Sequence, residues 1–461
     1  MNRARAMFRA GPIPIATEMG TPRVVIIGGG FGGVAAARAL SKAPVDVVLI
    51  DRTNHYLFQP LLYQVAAGLL SPADIAVPTR SLLHRQRNVD VVMGDVHSID
   101  VQRRSVVASG IDAPIPYDFL IVATGARHSY FAHPEWERSA PGLKTLDDAR
   151  QIRSRFLLAF EEAEKERDPV AQSALATFVI IGGGPTGVEL AGILPTLARR
   201  GLRRDYRHVD PARSKVILLE GGPRILPTFC EDISRRAQRD LEELGVQVRT
   251  NALVTDLQSD AVYVGDEMIP ARSVFWAAGN QASPLIKALG APMDRAGRAL
   301  VNTDLSIPDH PEIFVIGDAA AAARSSSAPK ASGGAQWVPG LAAAANQMGA
   351  HAGAMIARSV NGLAREPFTF ADRGMMAIIG RNRAVAAFGG VTLTGRLAFL
   401  TWLFVHVLYL ASFRNRVSVL LEWGYAYLTS RPGARLLTME DRARVIGGAQ
   451  ASDRRRLKRT A

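Results

Sequence analysis

Two glycine-rich runs hold the residues best suited to chemistry in this chain, Gly28-Gly29-Gly30-Phe31-Gly32-Gly33 and Gly182-Gly183-Gly184-Pro185-Thr186-Gly187. Residues without side chains let a diphosphate approach the backbone, where N–H groups and the positive end of a helix hold it. Each run follows an apolar, β-branched stretch, Val24 to Ile27 and Phe178 to Ile181, and precedes an Ala-rich or Leu-rich helical pattern. In that strand, turn and helix context a glycine pattern, weak alone, reads as a dinucleotide site. An acid at the end of the following strand accepts hydrogen bonds from an adenosine ribose. Asp51 closes Val45 to Ile50, and Glu220 closes Lys215 to Leu219. Glu220 lies farther from its glycines than the usual ~20 residues, because the polar stretch Arg199 to Ser214 lengthens the helix or its connection. A carboxylate there repels a 2′-phosphate, so NADH is favoured over NADPH. Two loops with two acids imply two bound dinucleotides.

The elements that must position these loops follow from the order of apolar runs. The first unit runs from Thr21 to about residue 144, and its strand-like Phe119 to Val122 leads into Ala123-Thr124-Gly125, small residues that let a cofactor reach the backbone. A helical stretch, Thr145 to Glu166, and a polar segment, Arg167 to Ala174, lead to the second unit, which ends on the similar phrase Phe275 to Gly279. The chain then returns through Glu312 to Asp318, an apolar strand closing on Gly317-Asp318. This order predicts an α/β fold of two Rossmann-like dinucleotide-binding domains, one inserted in the other, plus C-terminal amphipathic membrane-associating helices. The expected divisions are a disordered extension over 1–20, an outer domain over 21–144 and 283–365, an inserted domain over 145–282, and a membrane-associating region with a basic tail over 366–461.

Composition narrows the partners. The 461 residues suffice for about three domains of ordinary size, and 48% hydrophobic residues supply ample core. A formal net charge of +13 suits nucleic acid or an anionic membrane surface. Zinc-finger spacing, a basic heptad region and an aromatic RNA-binding strand are all missing, so nucleic acid is not expected. Cys230 is the one cysteine, which excludes an internal disulfide and a redox pair of thiols. It precedes a helical pattern and is expected to pack rather than react. His406 has no second His or Cys at ligand spacing, so no metal is expected. Met1 to Met19 is basic and has no long apolar stretch; a disordered extension is expected, or an upstream start with Met7 or Met19 as alternatives.

The C-terminal region offers two readings. Leu397 to Phe413 is apolar almost all round, and Val417, Leu420, Leu421, Trp423, Tyr427 and Leu428 then recur at helical spacing. Some 17 residues reach only about 26 Å, short for a ~30 Å hydrocarbon core. Arg381, Arg383 and Arg396 precede the run and Arg414, Arg416, Arg431 and Arg435 follow it, so charge gives no preferred orientation across a bilayer. A helix lying in the interface is favoured, with Trp402, Trp423, Tyr425 and Tyr427 at headgroup level and the tail Arg454 to Arg459 on anionic lipid. The other reading is a buried helix at a dimer contact with a solvated tail.

These residues together resemble the two-dinucleotide-binding flavoproteins, and within them the type II NADH:quinone oxidoreductases. The likeness rests on Gly28 to Gly33, Asn54-His55-Tyr56-Leu57-Phe58-Gln59-Pro60-Leu61-Leu62-Tyr63-Gln64-Val65-Ala66-Ala67-Gly68, Ala123-Thr124-Gly125, Gly182 to Gly192 with Glu189, Gly317-Asp318 and the apolar C-terminal segment. It implies FAD in the first unit and NADH in the second and a peripheral, non-proton-pumping membrane enzyme; the catalytic part is expected to face the cytoplasm, where NADH is available, and a homodimer is expected. Asp51 and Arg52 would then meet the FAD adenosine, Val96 its adenine, and Asp318 its ribityl or phosphate part, with His55 and Tyr56 either near FAD or packing in a loop. Gly182, Gly184, Thr186, Gly187, Glu220 and Gly279 would hold NADH. Glu189 matches the family's carboxylate near nicotinamide and flavin, implicated in nucleotide binding and proton delivery.

One departure concerns the acceptor. The family's quinone region carries Ala-Gln-x-Ala-x-Gln after Pro-Gly, whereas Pro339-Gly340 is followed here by Leu341, Ala342, Ala343, Ala344, Ala345, Asn346 and Gln347. Ala343 stands where the first glutamine would be, and Gln336 upstream is a possible substitute. Ala342, Ala343 and Gln347 are the quinone-side candidates. Two alternatives therefore stay open: a flavoprotein reductase or oxidase using a protein, dye or oxygen, and a non-catalytic flavin redox sensor.

Overall fold

The protein is described by a computed structural model covering residues 20–324, 337–429 and 433–443. Most of the N-terminal extension, Gln336, Arg431 and the tail Arg454 to Arg459 lie outside the described residues. Chain contacts separate two compact units. The first holds the described residues up to Tyr56 together with Val77–Arg127 and Asn280–Asp372; the second holds Leu57–Ala76, His128–Gly279 and the chain from Arg373 onward.

The first unit is built on a six-stranded sheet in the order Ser306–Ile307, His310–Val315, Phe119–Val122, Arg23–Ile27, Asp46–Asp51 and Val89–Met93. Every neighbouring pair is parallel except the first. Strands covered on both faces must be apolar throughout, and Val24, Val25, Ile26, Leu49 and Ile50 are fully buried. The Phe31–Ala39 and Ala342–Val360 helices meet backbone to backbone: a Cβ on Gly349 would lie 2.0 Å from the Gly32 carbonyl oxygen, and one on Gly353 would lie 2.7 Å from that of Ala36.

The second unit repeats the design with a four-stranded parallel sheet, Val246–Arg249, Lys215–Leu219, Thr177–Ile181 and Ser273–Trp276. Phe156 and Phe160, from the Leu146–Ala163 helix, pack on Phe178 with ring centroids 4.7 and 5.5 Å away. Tyr130 and Trp136 pack with Trp276 in a separate cluster. A three-stranded antiparallel sheet, Met375–Gly380, Arg383–Phe388 and Val391–Thr394, carries two helices after it.

Four local expectations are corrected. The polar Arg167 to Ala174 segment contains a helix, Pro169–Leu175, because Asp168 caps it by accepting from the Val170 and Ala171 N–H groups. Cys230 is exposed rather than packed, since it sits at the N-terminal boundary of the Glu231–Glu243 helix. The apolar Leu397 to Phe413 run is not one helix but most of Gly395–Tyr409, a break, and the first residue of Phe413–Thr429. The break is held by Asn415, which donates to the carbonyls of Ala73 and Asp74 at 3.0 and 2.6 Å, while Ser412 accepts from the Asn415 N–H. Trp402 is buried, at 2% exposure, and not at a headgroup level, because it stacks on His406 at 4.2 Å. Among the described residues no helix is long and apolar enough to cross a membrane.

Candidate functional site

Both glycine loops have the geometry that their residue types require. Gly28 adopts φ +107°, and a Cβ there would lie 2.3 Å from the Ala123 carbonyl oxygen; Gly182 adopts φ +110°, with a Cβ 2.6 Å from the Ala277 carbonyl carbon. Gly33 and Gly187 would press a Cβ onto the oxygens of Gly28 and Gly182 at 1.8 and 1.9 Å. Between them, Gly30 and Gly184 have nothing within 4 Å of a Cβ position. The helices that start at Phe31 and Pro185 have neither a side-chain cap nor an acid in their first turn. An uncapped helix start without acids presents its positive end to an anion.

The acids close the loops on themselves. Asp51 accepts from the Gly29 N–H at 2.5 Å with one oxygen, and from the Thr53 N–H and hydroxyl, each at 2.7 Å, with the other. Glu220 accepts from the Gly183 N–H at 2.6 Å and the Gly222 N–H at 2.7 Å. The long connection to Glu220 thus delivers the carboxylate to the same place as in the first unit. Ala123, Thr124 and Gly125 follow the Phe119–Val122 strand beside the first loop; the Thr124 hydroxyl oxygen is buried with no hydrogen-bond partner, and Gly125 opens onto free space. Tyr56 packs edge-on to Phe31 at 5.3 Å. Arg52 is exposed and Val96 buried. A Cβ on Gly340 would lie 3.1 Å from Asp318 Oδ1, so the Pro339-Gly340 turn runs close by that carboxylate. Gly279, at φ +75°, fits against Ser129 and Phe131.

In the second unit a cavity of about 600 Å³ is lined by Tyr63, Gln64, Glu189, Trp402 and Trp423 with mainly apolar neighbours, and Arg200 and Arg381 also line it. Glu189 is placed there by its own helix: three residues on, a Cβ at Gly192 would lie 1.7 Å from the Ile379 carbonyl oxygen, so only glycine lets the Pro185–Thr196 helix lie on the Met375–Gly380 strand. Burial pushes the Glu189 carboxyl up to about 8, against a hydrogen bond from the Ile378 backbone that favours the charged form. At neutral pH it holds its proton. The Tyr63 phenol is pushed well above its ordinary range, by burial first and then by the Glu189 charge, with the Gln64 hydrogen bond opposing.

Sequence reasoning singled out Glu189, beside nicotinamide and flavin rather than in this cavity, and gave Tyr63, Gln64 and the two tryptophans no role in it. Their signal was present only as a motif around Tyr63-Gln64 and as aromatic residues in an apolar tail. Ala342 and Ala343 open the Ala342–Val360 helix, which has no side-chain cap, and the Gln347 carboxamide pairs with the Ala371 backbone at 3.0 and 2.9 Å. None of these three is among the residues lining the cavity.

Residues 22–349 match the family model described as pyridine nucleotide-disulphide oxidoreductase, and residues 373–432 match an NDH2 C-terminal domain. The chain is 42% identical over 439 residues to the type II NADH:quinone oxidoreductase Ndh of Mycobacterium tuberculosis, covering 92% of each. This chain belongs to the type II NADH:quinone oxidoreductase family. A second type II enzyme of that organism, NdhA, is 41% identical, with 91% of this chain and 90% of the relative covered. The solved structure of NDH2 from Plasmodium falciparum in complex with NADH superposes with a TM-score of 0.80 at 20% identity over 89% of this chain and 99% of that one. At that identity the likeness establishes the fold. Enzymes of this family are FAD-binding flavoproteins.

Proposed function

We propose that this chain is a peripheral membrane enzyme that oxidises NADH and reduces a quinone, NADH + H⁺ + quinone giving NAD⁺ + quinol. The observation that carries the reading is Glu189, a carboxyl kept protonated at neutral pH on the wall of an apolar cavity of about 600 Å³, a size and lining suited to a quinone ring. The first loop fits FAD: the open space at Gly30 and Gly125, the uncapped helix start and the partnerless Thr124 hydroxyl are what a nucleotide with a diphosphate and a ring system would occupy. Gly28 to Gly33, Asp51, Arg52, Val96, Ala123, Thr124, Gly125 and Asp318 would hold it. When bound, FAD supplies a carrier that takes a hydride equivalent and gives up electrons in pairs or singly.

The chain's own residues bind, orient and manage protons. Gly182, Gly184, Thr186 and Gly187 would cradle the NADH diphosphate, and Glu220 would hold the loop in shape while meeting the adenosine ribose, with Gly279 giving close access. Quinol formation needs protons, and the Glu189 carboxyl can hold one at a site shielded from bulk water. Ala342 and Ala343, with Gln347 behind them, do not line the Glu189 cavity; in this reading they serve the flavin cradle of their own unit, where the uncapped helix start offers N–H groups. Exposed Leu397, Leu400, Phe404 and Leu408, then Phe413, Val417, Leu421 and Leu428, form apolar stripes beside Arg396 and Arg414. Their spacing supports an in-plane anchor on an anionic leaflet. The cytoplasmic face and a homodimer belong to this reading.

The deciding experiment compares steady-state NADH oxidation by the purified holoenzyme with menadione, with a protein acceptor and with oxygen. Menadione turnover well above the other two supports the reading; oxygen or protein turnover exceeding it moves the chain to a soluble-acceptor reductase.

A further inference from the structure

Two hydrogen bonds in the cavity wall have a direction that chemistry fixes. Trp423 and Gln64 are far apart in sequence, yet the Trp423 indole N–H donates to Gln64 Oε1 at 2.6 Å, and Gln64 Nε2 donates to the Tyr63 phenol oxygen at 2.7 Å. An indole nitrogen can only donate. The Gln64 oxygen must therefore face Trp423, because the opposite orientation would set an NH₂ group against an N–H. The NH₂ group then faces Tyr63, and it too can only donate. Tyr63 is left as an acceptor toward Gln64, with its own O–H proton unassigned; among the described residues no acceptor takes that proton. Tyr63 and Gln64 are each 3% exposed, so bulk water does not supply one.

We propose that the Trp423–Gln64–Tyr63 chain fixes the direction of the Tyr63 hydroxyl so that it donates a hydrogen bond to a carbonyl oxygen of the quinone in the cavity. Trp423 and Gln64 are then positioning residues, and Tyr63 is the group that touches substrate. This rests on the quinone reading above and adds to it the group that recognises the acceptor. Three further facts agree. Tyr63, Gln64 and Trp423 all line the same cavity as Glu189. The Tyr63 phenol is held in its protonated, donating form by burial. Trp402, also in the lining and 2% exposed, has a buried indole N–H with no partner, a second donor in a wall that offers few acceptors. Neutral donors in a wall that also carries Arg200 and Arg381 suit a diketone, whose oxygens accept and whose ring is apolar, and they suit the reduced form as negative charge develops on those oxygens.

The polarity of the chain makes the test sharp. Gln64→Glu keeps the shape but places acceptors at both ends, so the carboxylate captures the Tyr63 proton and turns the donor away from the cavity. In the full-length FAD-loaded enzyme with menadione as probe, Tyr63→Phe is expected to lower kcat/KM for menadione roughly tenfold, the scale of one lost hydrogen bond to a buried acceptor. Gln64→Glu is expected to lose at least as much, Trp423→Phe somewhat less, and Tyr63→Phe combined with Trp423→Phe no more than Tyr63→Phe alone. Each loss is set against that variant's own anaerobic rate of flavin bleaching by NADH, which exposes a misfolded or flavin-poor preparation, and Tyr63→Phe, nearly isosteric, keeps the test alive if Gln64→Glu does not fold. Menadione kinetics unchanged in Tyr63→Phe, or a Trp423→Phe loss that adds in full to that of Tyr63→Phe, would overturn the proposal while leaving the quinone reading intact. Failure of the unsubstituted enzyme to reduce menadione at all would instead remove that reading and this one together.

Discussion

Glu189 shows how much a single residue owes to its surroundings. A carboxyl with an ordinary pKa would be ionised at neutral pH, whereas burial raises this one to about 8. Because the folded value lies above the unfolded one, the folded state holds a proton that the unfolded chain has lost. Stability therefore falls as pH rises from about 4.5 to about 8 and is flat above that window. Glu189→Gln removes the penalty, so its melting temperature is expected to match wild type at pH 5 and exceed it at pH 8, as differential scanning calorimetry would read. The same substitution leaves no proton to give, and menadione turnover should fall on the order of 100-fold. Wild-type turnover should also decline as pH rises through about 8, and the variant should lack that limb; a shared limb would mean that another group delivers the proton. Glu220 acts differently, through two loop N–H groups at 2.6 and 2.7 Å. Glu220→Ala should raise the KM for NADH roughly tenfold and narrow the preference over NADPH, both measured in steady state. Asp51 and Glu220 were legible in the sequence because a Rossmann unit places its acid by strand order, whatever the length of the intervening connection.

At the scale of elements, the contrast is between local and remote constraint. The two glycine loops could be read from sequence since each requirement, a positive φ or a missing Cβ, is felt within one strand, turn and helix. Gly192 was quoted only as the end of a motif, and its purpose is visible only in the fold, where it lets one helix touch the strand Met375–Gly380, which comes far later in the chain. Adding a methyl group there must push helix and strand apart. Gly192→Ala is expected to cost about 1–3 kcal/mol, the usual scale of overpacking, and to slow menadione reduction more than flavin bleaching by NADH, because Glu189 lies three residues away on the displaced helix. Thermal unfolding and anaerobic stopped-flow separate the two effects. The break between the last two helices was hidden for a similar reason: apolar periodicity runs across it, and only the bonds from Asn415 to the backbone at Ala73 and Asp74 explain why the chain turns there. Trp402 was misplaced by the same logic, since composition alone cannot distinguish an interfacial ring from one that closes a cavity.

For the whole molecule, membrane attachment is the property on which net charge and surface must agree. The chain carries a formal charge of +13, and its last two helices leave Leu400, Phe404, Phe413, Leu421 and Leu428 exposed. Apolar stripes flanked by arginine bind a leaflet by burial plus attraction to anionic lipid, without crossing it. Deleting everything from Arg396 is a blunt test, because it also removes Asn415, Trp402 and Trp423, which hold the second unit together and line its cavity. A truncated enzyme is therefore expected to lose quinone turnover even in detergent, which would be mistaken for a need for lipid. Replacing only exposed side chains avoids the confusion. Leu408→Ser, Phe404→Ser and Leu421→Ser combined, all exposed and outside the cavity lining, should leave menadione turnover in detergent within about twofold, since exposed positions carry little folding energy. Flotation with vesicles of phosphatidylcholine and phosphatidylglycerol should then fall sharply, and the remaining binding should be more sensitive to salt because charge alone supports it. Undiminished flotation of the triple variant at physiological salt would place the anchor elsewhere on the molecule.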